Sequence, residues 1–459
     1  MSDEGSSCWR AAVDRVISQV YDRYPGQDQF YFPPIALSQD LTFLGLTRKN
    51  LTSDIVQSAM IILLLITMFC AWFIALGNAI VGLPSRSITG SHQKRSHREK
   101  VSGDHCLTFV VDVKRDGFQE IDLIRSHFPK DKWREVFAHE RPHRVDCIFG
   151  LTTKSSPLYH TRAKVNFRLD ADEITDKVKL HMHLMKSHPT AIAPTRIVDA
   201  STEMKPGQVW MVRANWGWGG KASGVATSTQ ELQELRTKFS IIPDEISAAK
   251  RGGIPKVEVI ASDYIRDPYL WKQSTVTQSD NAKIDCTGRK FHTRMILTIF
   301  VNRKTSAKHA ILSPIAWAIS AGKPFVDGQY QDEEIHDSHE KRAGPASVIS
   351  LLDMDGGRKL YDNAVATIKE IAPTLNSLVS LYPEAEEIGY DVFGLDIMHH
   401  EDGRSVLIEI NKLPGVENEH ETQHRKDIIS GIFISAVAPT FDVPLSREDI
   451  AAKDRLIFL

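Results

Sequence analysis

Residues 390–415 read YDVFGLDIMHHEDGRSVLIEINKLPG, and three oxygen-bearing side chains in this stretch have the types and spacing of a divalent-cation site. Asp402-Gly403 lies between two runs of alternating apolar residues, the sequence pattern of a two-residue type I′ hairpin. With those two residues as the turn, Glu401 faces Arg404, Met398 faces Leu407 and Asp396 faces Glu409. Asn411 then follows Glu409 on the same face, while Leu395, Ile397, Ile408 and Ile410 point the other way, into a core. Two carboxylates directly opposite each other repel and call for a cation between them. Hard oxygen ligands suit Mg²⁺, above all where substrate phosphates complete its shell. Two acids on a solvated sheet face would be ordinary surface charge; the asparagine and the closing Pro414-Gly415 favour the metal.

Complementary chemistry lies upstream. After the strand-like Trp210-Met-Val-Arg213, the glycines Gly217, Gly219, Gly220 and Gly224 punctuate a segment that also carries Lys221. Such a loop can approach phosphates through its backbone N–H groups. It is not a Walker A loop, because Asn215 takes the first glycine position and Ala222 follows Gly220-Lys221 where Ser or Thr is required. In Lys290-Phe-His-Thr-Arg294, strand alternation puts Lys290, His292 and Arg294 on one face, a row able to neutralise phosphate charge. Taken singly, these are also what a glycine-rich hairpin and an exposed sheet look like. Together with the acidic hairpin they form a nucleotide–magnesium constellation.

The elements that must position these groups are strands at Cys106–Val113, Val145–Leu151, Val209–Ala214, Val257–Ser262, Lys290–Val301, 390–400 and 404–411. Helices are expected at Gln119–Ser126, Lys177–Met185 (broken by Pro189–Pro194) and Asp362–Tyr382. The body from His105 onward is therefore of mixed α+β class without repeats, and its last nineteen residues carry no clear pattern.

With 459 residues, 42% hydrophobic and 25% charged, the chain has room for two or three domains, and whole-chain disorder and collagen are excluded. Lys+Arg 56 against Asp+Glu 58 leaves a net charge of −2, so nothing indicates a nucleic-acid partner. The five cysteines form no CxxC, which argues against a disulfide framework and a thiolate zinc site. The groupings His181/His183, His336/His339 and His399-His400 lack HExxH spacing and read as solvated or hydrogen-bonding histidines.

Ile55–Ser85 contains no Asp, Glu, Lys or Arg over 31 residues, enough for a helix through a bilayer core, and 55–83 is expected to span a membrane. Five cations within twenty residues after this run, against two before it, place the C-terminal side in the cytosol. Residues 1–54 form an appendage in which Trp9, Val13, Val16, Val20 and Tyr24 recur at helical spacing, and 84–104 is a basic polar linker.

Gly394-Leu-Asp396 followed by Leu407-Ile-Glu409-Ile-Asn411-Lys-Leu-Pro414-Gly415 resembles the "G-x-D … L-x-E-x-N-x-x-P-G" pattern of the tubulin–tyrosine ligase-like family in the ATP-grasp superfamily. Lys290-Phe-His-Thr-Arg294 resembles that family's "K-F-(D/H)-x-R" strand, and the segment from Trp210 through the glycine loop resembles "W-I-x-K-P … G-x-G-I". Ser262-Asp-Tyr264-Ile265 resembles the adenine-binding connection. The similarity covers roughly 160–416.

The resemblance implies an ATP-grasp fold over 105–440, in subdomains of about 105–200, 201–345 and 346–440, followed by a 441–459 tail. It implies Asp396, Glu409 and Asn411 as Mg²⁺ ligands, with Arg294 and Glu409 catalytic. ATP would be held by Lys177, Arg213, Gly217, Gly219, Gly220, Lys221, Tyr264, Ile265, Lys290 and Arg294. The implied activity joins a free amino acid to a protein carboxylate, with tubulin as the family-level acceptor.

Four features depart from the family pattern. Ser262-Asp263 replaces Gln-Lys, His336-Asp337-Ser338-His339 stands for the family's "H-L-T-N", Arg213 replaces a lysine, and Lys308 is the sole Lys or Arg in 305–322, where a carboxylate-reading arginine is common. A tethered binding protein without catalysis, and a ligase of a small metabolite, are therefore the alternatives.

Overall fold

A computed structural model describes residues 106–112, 121–150, 157–215, 222–242, 257–272, 276–277, 283–336, 348–412 and 422–459. The expected membrane run 55–83, the helix around Trp9–Tyr24, the linker 84–104, Gly217, Gly219, Gly220, Lys221, His339 and Pro414-Gly415 lie outside the described residues. The chain divides between Val101 and Ser102, and everything described belongs to the second part. Among the described residues, no helix is long and apolar enough to cross a membrane.

Ten strands make one curled, mixed sheet. Its first half is parallel: β1 (Leu107–Asp112), β2 (Trp133–Glu135), β3 (Arg144–Gly150) and β4 (Arg162–Phe167). A separate antiparallel sheet of four short strands follows: β5 (Thr195–Ile197), β6 (Trp210–Ala214), β7 (Ser223–Ala226) and β8 (Val259–Asp263), in the order β5-β8-β6-β7. The chain then returns to the large sheet with β9 (Arg289–Asn302), β10 (Lys308–Pro324), β11 (Val348–Ser350), β12 (Ala385–His399), β13 (Ser405–Lys412) and β14 (Ile457–Phe458). The large sheet runs β11-β10-β9-β12-β4-β3-β1-β2, with β13 also on β12 and β14 on β10. The helices used below are α1 (Lys177–Ser187), α2 (Thr229–Phe239), α3 (Gly357–Leu378), α4 (Thr422–Ile432) and α5 (Arg447–Arg455).

Strand alternation divides the large sheet into two covered faces. Met295, Leu297 and Ile299 of β9, with Phe393, Leu395 and Ile397 of β12, pack against Leu360, Ala364, Ile368 and Leu375 of α3. Ile296, Phe300, Tyr390 and Val392 face the other way, against Ile428, Ile429 and Ile432 of α4. Covered on both sides, β12 is buried almost throughout, its Asp391 and Asp396 included. Lys290, His292, Arg294 and Asp396 share the parity of the second face, beyond the part that the α4 side chains cover. The small sheet has its own core, Trp210, Val212 and Ala214 under Leu232 and Phe239 of α2.

The hairpin differs from expectation in an instructive way. Its loop holds three residues, 401–403: His400 pairs with Arg404 through an N–H···O bond of 2.8 Å, and the Gly403 N–H bonds the His400 carbonyl at 2.8 Å. Gly403 has φ +92°, the left-handed residue that follows a turn of this length. Met398 therefore faces Val406 rather than Leu407, and Glu401 does not face Arg404. A one-residue bulge at Ile408 then restores the register, so Asp396 does face Glu409. Ile408, placed in the core by alternation, is instead half-buried beside a cavity.

Other boundaries moved for local reasons. Helix α3 starts at Gly357 and stops at Leu378, because Val379 is extended and Ser380–Leu381 pairs as a strand with Leu169–Asp170. The last nineteen residues form α5, capped reciprocally by Ser446 and Asp449, and then β14.

Candidate functional site

A cavity of about 370 Å³ lies between the small sheet and the surface of β9, β12 and β13. Lys177, Arg213, Tyr264, Ile265, Lys290, Asp396 and Glu409, all singled out from sequence, line it. Arg294 and Asn411 sit beside it as partners of the carboxylates.

The carboxylate side is tightly cross-linked. Pairing of Arg294 with Asp396 across β9 and β12 brings the guanidinium onto the carboxylate through two hydrogen bonds, one of them from Nη2 to Oδ2 at 3.0 Å. The Asn411 amide nitrogen donates to Asp396 Oδ2 at 2.9 Å and to Glu409 Oε1 at 3.0 Å, bridging the two acids. Lys177 Nζ stands 3.2 Å from Glu409 Oε2. It is the first residue of α1, whose N-cap Asp176 accepts from the Val178 and Lys179 N–H groups and fixes where the helix begins. Burial pushes the Glu409 carboxyl up, but the charges of Lys177 and Arg213 and the hydrogen bonds from Asn411 and Lys177 outweigh it and hold it at about 2.

Behind Glu409 lies a polar network that sequence did not reveal. Arg213 Nη1 donates to the Ile408 carbonyl at 3.1 Å, and Nη2 donates to Ser262 Oγ at 3.3 Å. His181 Nε2 lies 2.7 Å from the same Ile408 carbonyl, and its Nδ1 is 3.0 Å from Thr195 Oγ1, which in turn reaches Ser262 Oγ at 2.8 Å. The Ile408 carbonyl, at the bulge, thus meets both the Arg213 guanidinium and the His181 imidazole. Burial, reinforced by the Arg213 charge, pulls His181 down to about 3, so it is neutral. The Arg213 Nε has no hydrogen-bond partner among the described residues.

At the opposite side the cavity has a different character. Lys290 is 3% exposed; its ammonium donates to the Tyr264 hydroxyl and sits 4.0 Å and 4.3 Å from the centroids of Tyr264 and Phe325. His336 Nδ1 is 3.1 Å from the Tyr264 oxygen. Among the described residues no carboxylate lies within ion-pair distance of Lys290. Burial lowers Lys290 to about 7, with the Asp327 charge opposing, and lowers His336 to about 4. Burial raises the Tyr264 phenol.

Asp396, Glu409 and Asn411 supply the hard oxygen donors that Mg²⁺ takes. Among the described residues no group of three His, Cys, Asp or Glu side chains could hold a metal ion, so any such site depends on the asparagine and on ligand oxygens. The histidine groupings are hydrogen-bonded: His183 to Glu173 at 3.0 Å, His399 to Thr293 at 2.8 Å and Ser405 at 2.9 Å, His400 to Asp267 at 2.9 Å. No protein-family model matches the chain, and no curated protein matches its sequence.

Proposed function

We propose that the chain is a membrane-anchored, ATP-dependent ligase of the ATP-grasp type, similar to the tubulin–tyrosine ligase-like proteins. It would be anchored through 55–83 with its catalytic part in the cytosol. The observation that carries the reading is one cavity lined by Lys177, Arg213, His292 and Lys290 that abuts the Asn411-bridged carboxylates Asp396 and Glu409. Arg213 is buried and faces the cavity, its Nε without a hydrogen-bond partner among the described residues, and with the half-buried Lys177 and His292 it favours an anionic ligand.

In this reading the γ-phosphoryl group of ATP passes to an acceptor carboxylate, and the amine of a free amino acid then displaces phosphate. Transfers of this kind depend mainly on positioning and charge stabilisation. Arg213 and Lys177 hold phosphate oxygens, and Arg294 orients Asp396. Mg²⁺ held by Asp396, Glu409 and Asn411 would neutralise the developing phosphate charge. The acceptor is an acidic protein tail, of which tubulin is the family-level example.

A second reading, a tethered nucleotide-binding protein without catalysis, draws on the ion pairs themselves. Arg294 and Lys177 already compensate both acids without a metal.

One experiment separates these readings. Full-length protein in sealed vesicles is given Mg-ATP, radiolabelled amino acids and a cell lysate, and ADP release and label incorporation are followed. The ligase reading expects ADP release that falls about 100-fold or more in Asp396→Ala and Glu409→Gln. Label should enter protein, and a tag after Leu459 should be open to external protease. Mg-ATP binding without ADP release supports the second reading, and label confined to small molecules replaces the protein acceptor by a metabolite. Absence of nucleotide binding overturns both.

A further inference from the structure

The surroundings of Lys290 are those of a reactive amine rather than of a simple charge anchor. The residue projects from β9 into the cavity, almost wholly removed from solvent. Aromatic faces of Tyr264 and Phe325 enclose its nitrogen, and the Tyr264 hydroxyl is its hydrogen-bond partner. The titratable groups around it are Tyr264, Tyr330, His336 and Asp327, and the Asp327 carboxylate is the charge that opposes the desolvation. Desolvation with so little opposite charge favours the uncharged amine, which carries a free electron pair.

A proton path adjoins it. The amine donates to the Tyr264 oxygen, and the Tyr264 hydroxyl can donate to His336 Nδ1, which its depressed basicity leaves neutral and able to accept. The phenol itself stays protonated, because burial raises it. An amine with a protonated hydroxyl at hydrogen-bond distance is the pairing that carbonyl condensation needs.

We propose that Lys290 is a covalent attachment site for small carbonyl compounds that carry an anionic group. The nitrogen attacks the carbonyl carbon, and a C–N bond forms as the C=O π pair moves to oxygen. Proton transfer from nitrogen to that oxygen gives a carbinolamine. The Tyr264 hydroxyl then protonates the departing hydroxyl, water leaves, and the nitrogen pair forms the C=N bond. Loss of the remaining N–H proton to the Tyr264 oxygen leaves a neutral imine and restores the phenol. Amine and carbonyl thus give imine and water, with no oxidant or reductant. Arg213 and Lys177, on the same cavity wall as the carboxylates, supply the charge that holds the ligand's phosphate or carboxylate.

This site does not depend on the nucleotide reading, and its test uses no nucleotide. Pyridoxal 5′-phosphate is added to the full-length protein at pH 7, the imine is trapped with borohydride, and the modified peptides are mapped by mass spectrometry. The expected result is saturable modification concentrated on the peptide bearing Lys290. Ordinary exposed lysines, with pKa values of about 10.4, should label at least about 100-fold more slowly at this pH. Lys290→Arg should lose the saturable component and keep the slow surface labelling, while Tyr264→Phe should slow it without moving the site. Labelling spread over surface lysines with Lys290 unmodified overturns the proposal. That result needs only the wild-type protein, so a variant that fails to fold cannot rescue the idea.

Discussion

The two sides of the cavity manage buried charge in opposite ways. Around Asp396 and Glu409, each acid has a counter-charge: Arg294 lies on one, Lys177 on the other, and Asn411 bridges them. Around Lys290 the neighbours are rings and a phenol. Compensation fixes protonation, which suits a side that must present constant charge to a ligand. Desolvation without compensation loosens protonation, which suits a side where a proton or a bond is to be exchanged. Position along β9 makes the difference: Arg294 pairs directly with a residue of β12, whereas the β12 pairing ends at Thr293, short of Lys290.

The largest effect expected from this contrast is a difference in sign on removing one charge from each side. Asp396→Ala removes the carboxylate on which the Arg294 guanidinium rests and an acceptor from Asn411, and should cost about 3–5 kcal/mol of stability. Lys290→Met removes a buried amine that no carboxylate among the described residues pairs while keeping the apolar stem, and should be neutral or stabilising by about 1 kcal/mol. Urea denaturation of both variants checks this. Losses of similar size would mean that Lys290 is as well compensated as Asp396.

The pH dependence of stability should divide along the same line. Glu409 is held at about 2 against an ordinary 4.5. The unfolded chain therefore binds the extra proton first as pH falls, and the stability that Glu409 contributes is complete above 4.5 and lost between 4.5 and 2. Lys290 sits at about 7 against 10.5. Between those values the unfolded chain is protonated there and the folded one is not, so stability rises with pH over that window and is lowest below 7. Each group contributes a slope of at most about 1.4 kcal/mol per pH unit. Denaturation midpoints across pH should flatten only between 2 and 4.5 in Glu409→Gln and only between 7 and 10.5 in Lys290→Met. A flattening in the wrong window would undo the assignment of the two sides.

How much of this was legible in the sequence depends on sequence separation. Asp396, Glu409 and Asn411 were readable because a hairpin is local: turn chemistry and alternation suffice to put them on one face. Even there the pairing was reached through two compensating errors, since the loop has one residue more than expected and the Ile408 bulge adds another. Helix α2 escaped although it carries a start signal, Ser228 accepting from the Glu231 N–H while Glu231 accepts from Thr227. Strand β10 escaped because Lys308–Pro324 is buried on both faces along much of its length and so lacks strict alternation. The His181–Thr195–Ser262–Arg213 network and the Lys290–Tyr264–His336 chain join separate elements, and no local spacing encodes such meetings. The resemblance marks Lys177 as a phosphate lysine, but its Glu409 partner lies 232 positions away in sequence, at 3.2 Å in space.

The smallest expected effect concerns how well the compensated side is insulated from its own turn. Gly403 adopts φ +92°, which an L-residue reaches only at a cost of about 1–2 kcal/mol. A Cβ there would also meet Lys359 Cε at 3.0 Å and Asn363 Nδ2 at 3.2 Å. Both are side chains of α3 that bond the turn carbonyls, Lys359 to Asp402 and Asn363 to Gly403. Gly403→Ala should therefore lower stability by about 1–2 kcal/mol through the turn. The pairs Met398/Val406 and Ile397/Leu407 and then the Ile408 bulge stand between that turn and the acids. A bulge takes up a local change of register, so the acid limb of the stability curve, which Glu409 governs, should keep its position while the whole curve drops. If the acid limb moved with the turn, the geometry of Asp396, Glu409 and Asn411 would be set by the hairpin tip and not by their cross-links to Arg294 and Lys177.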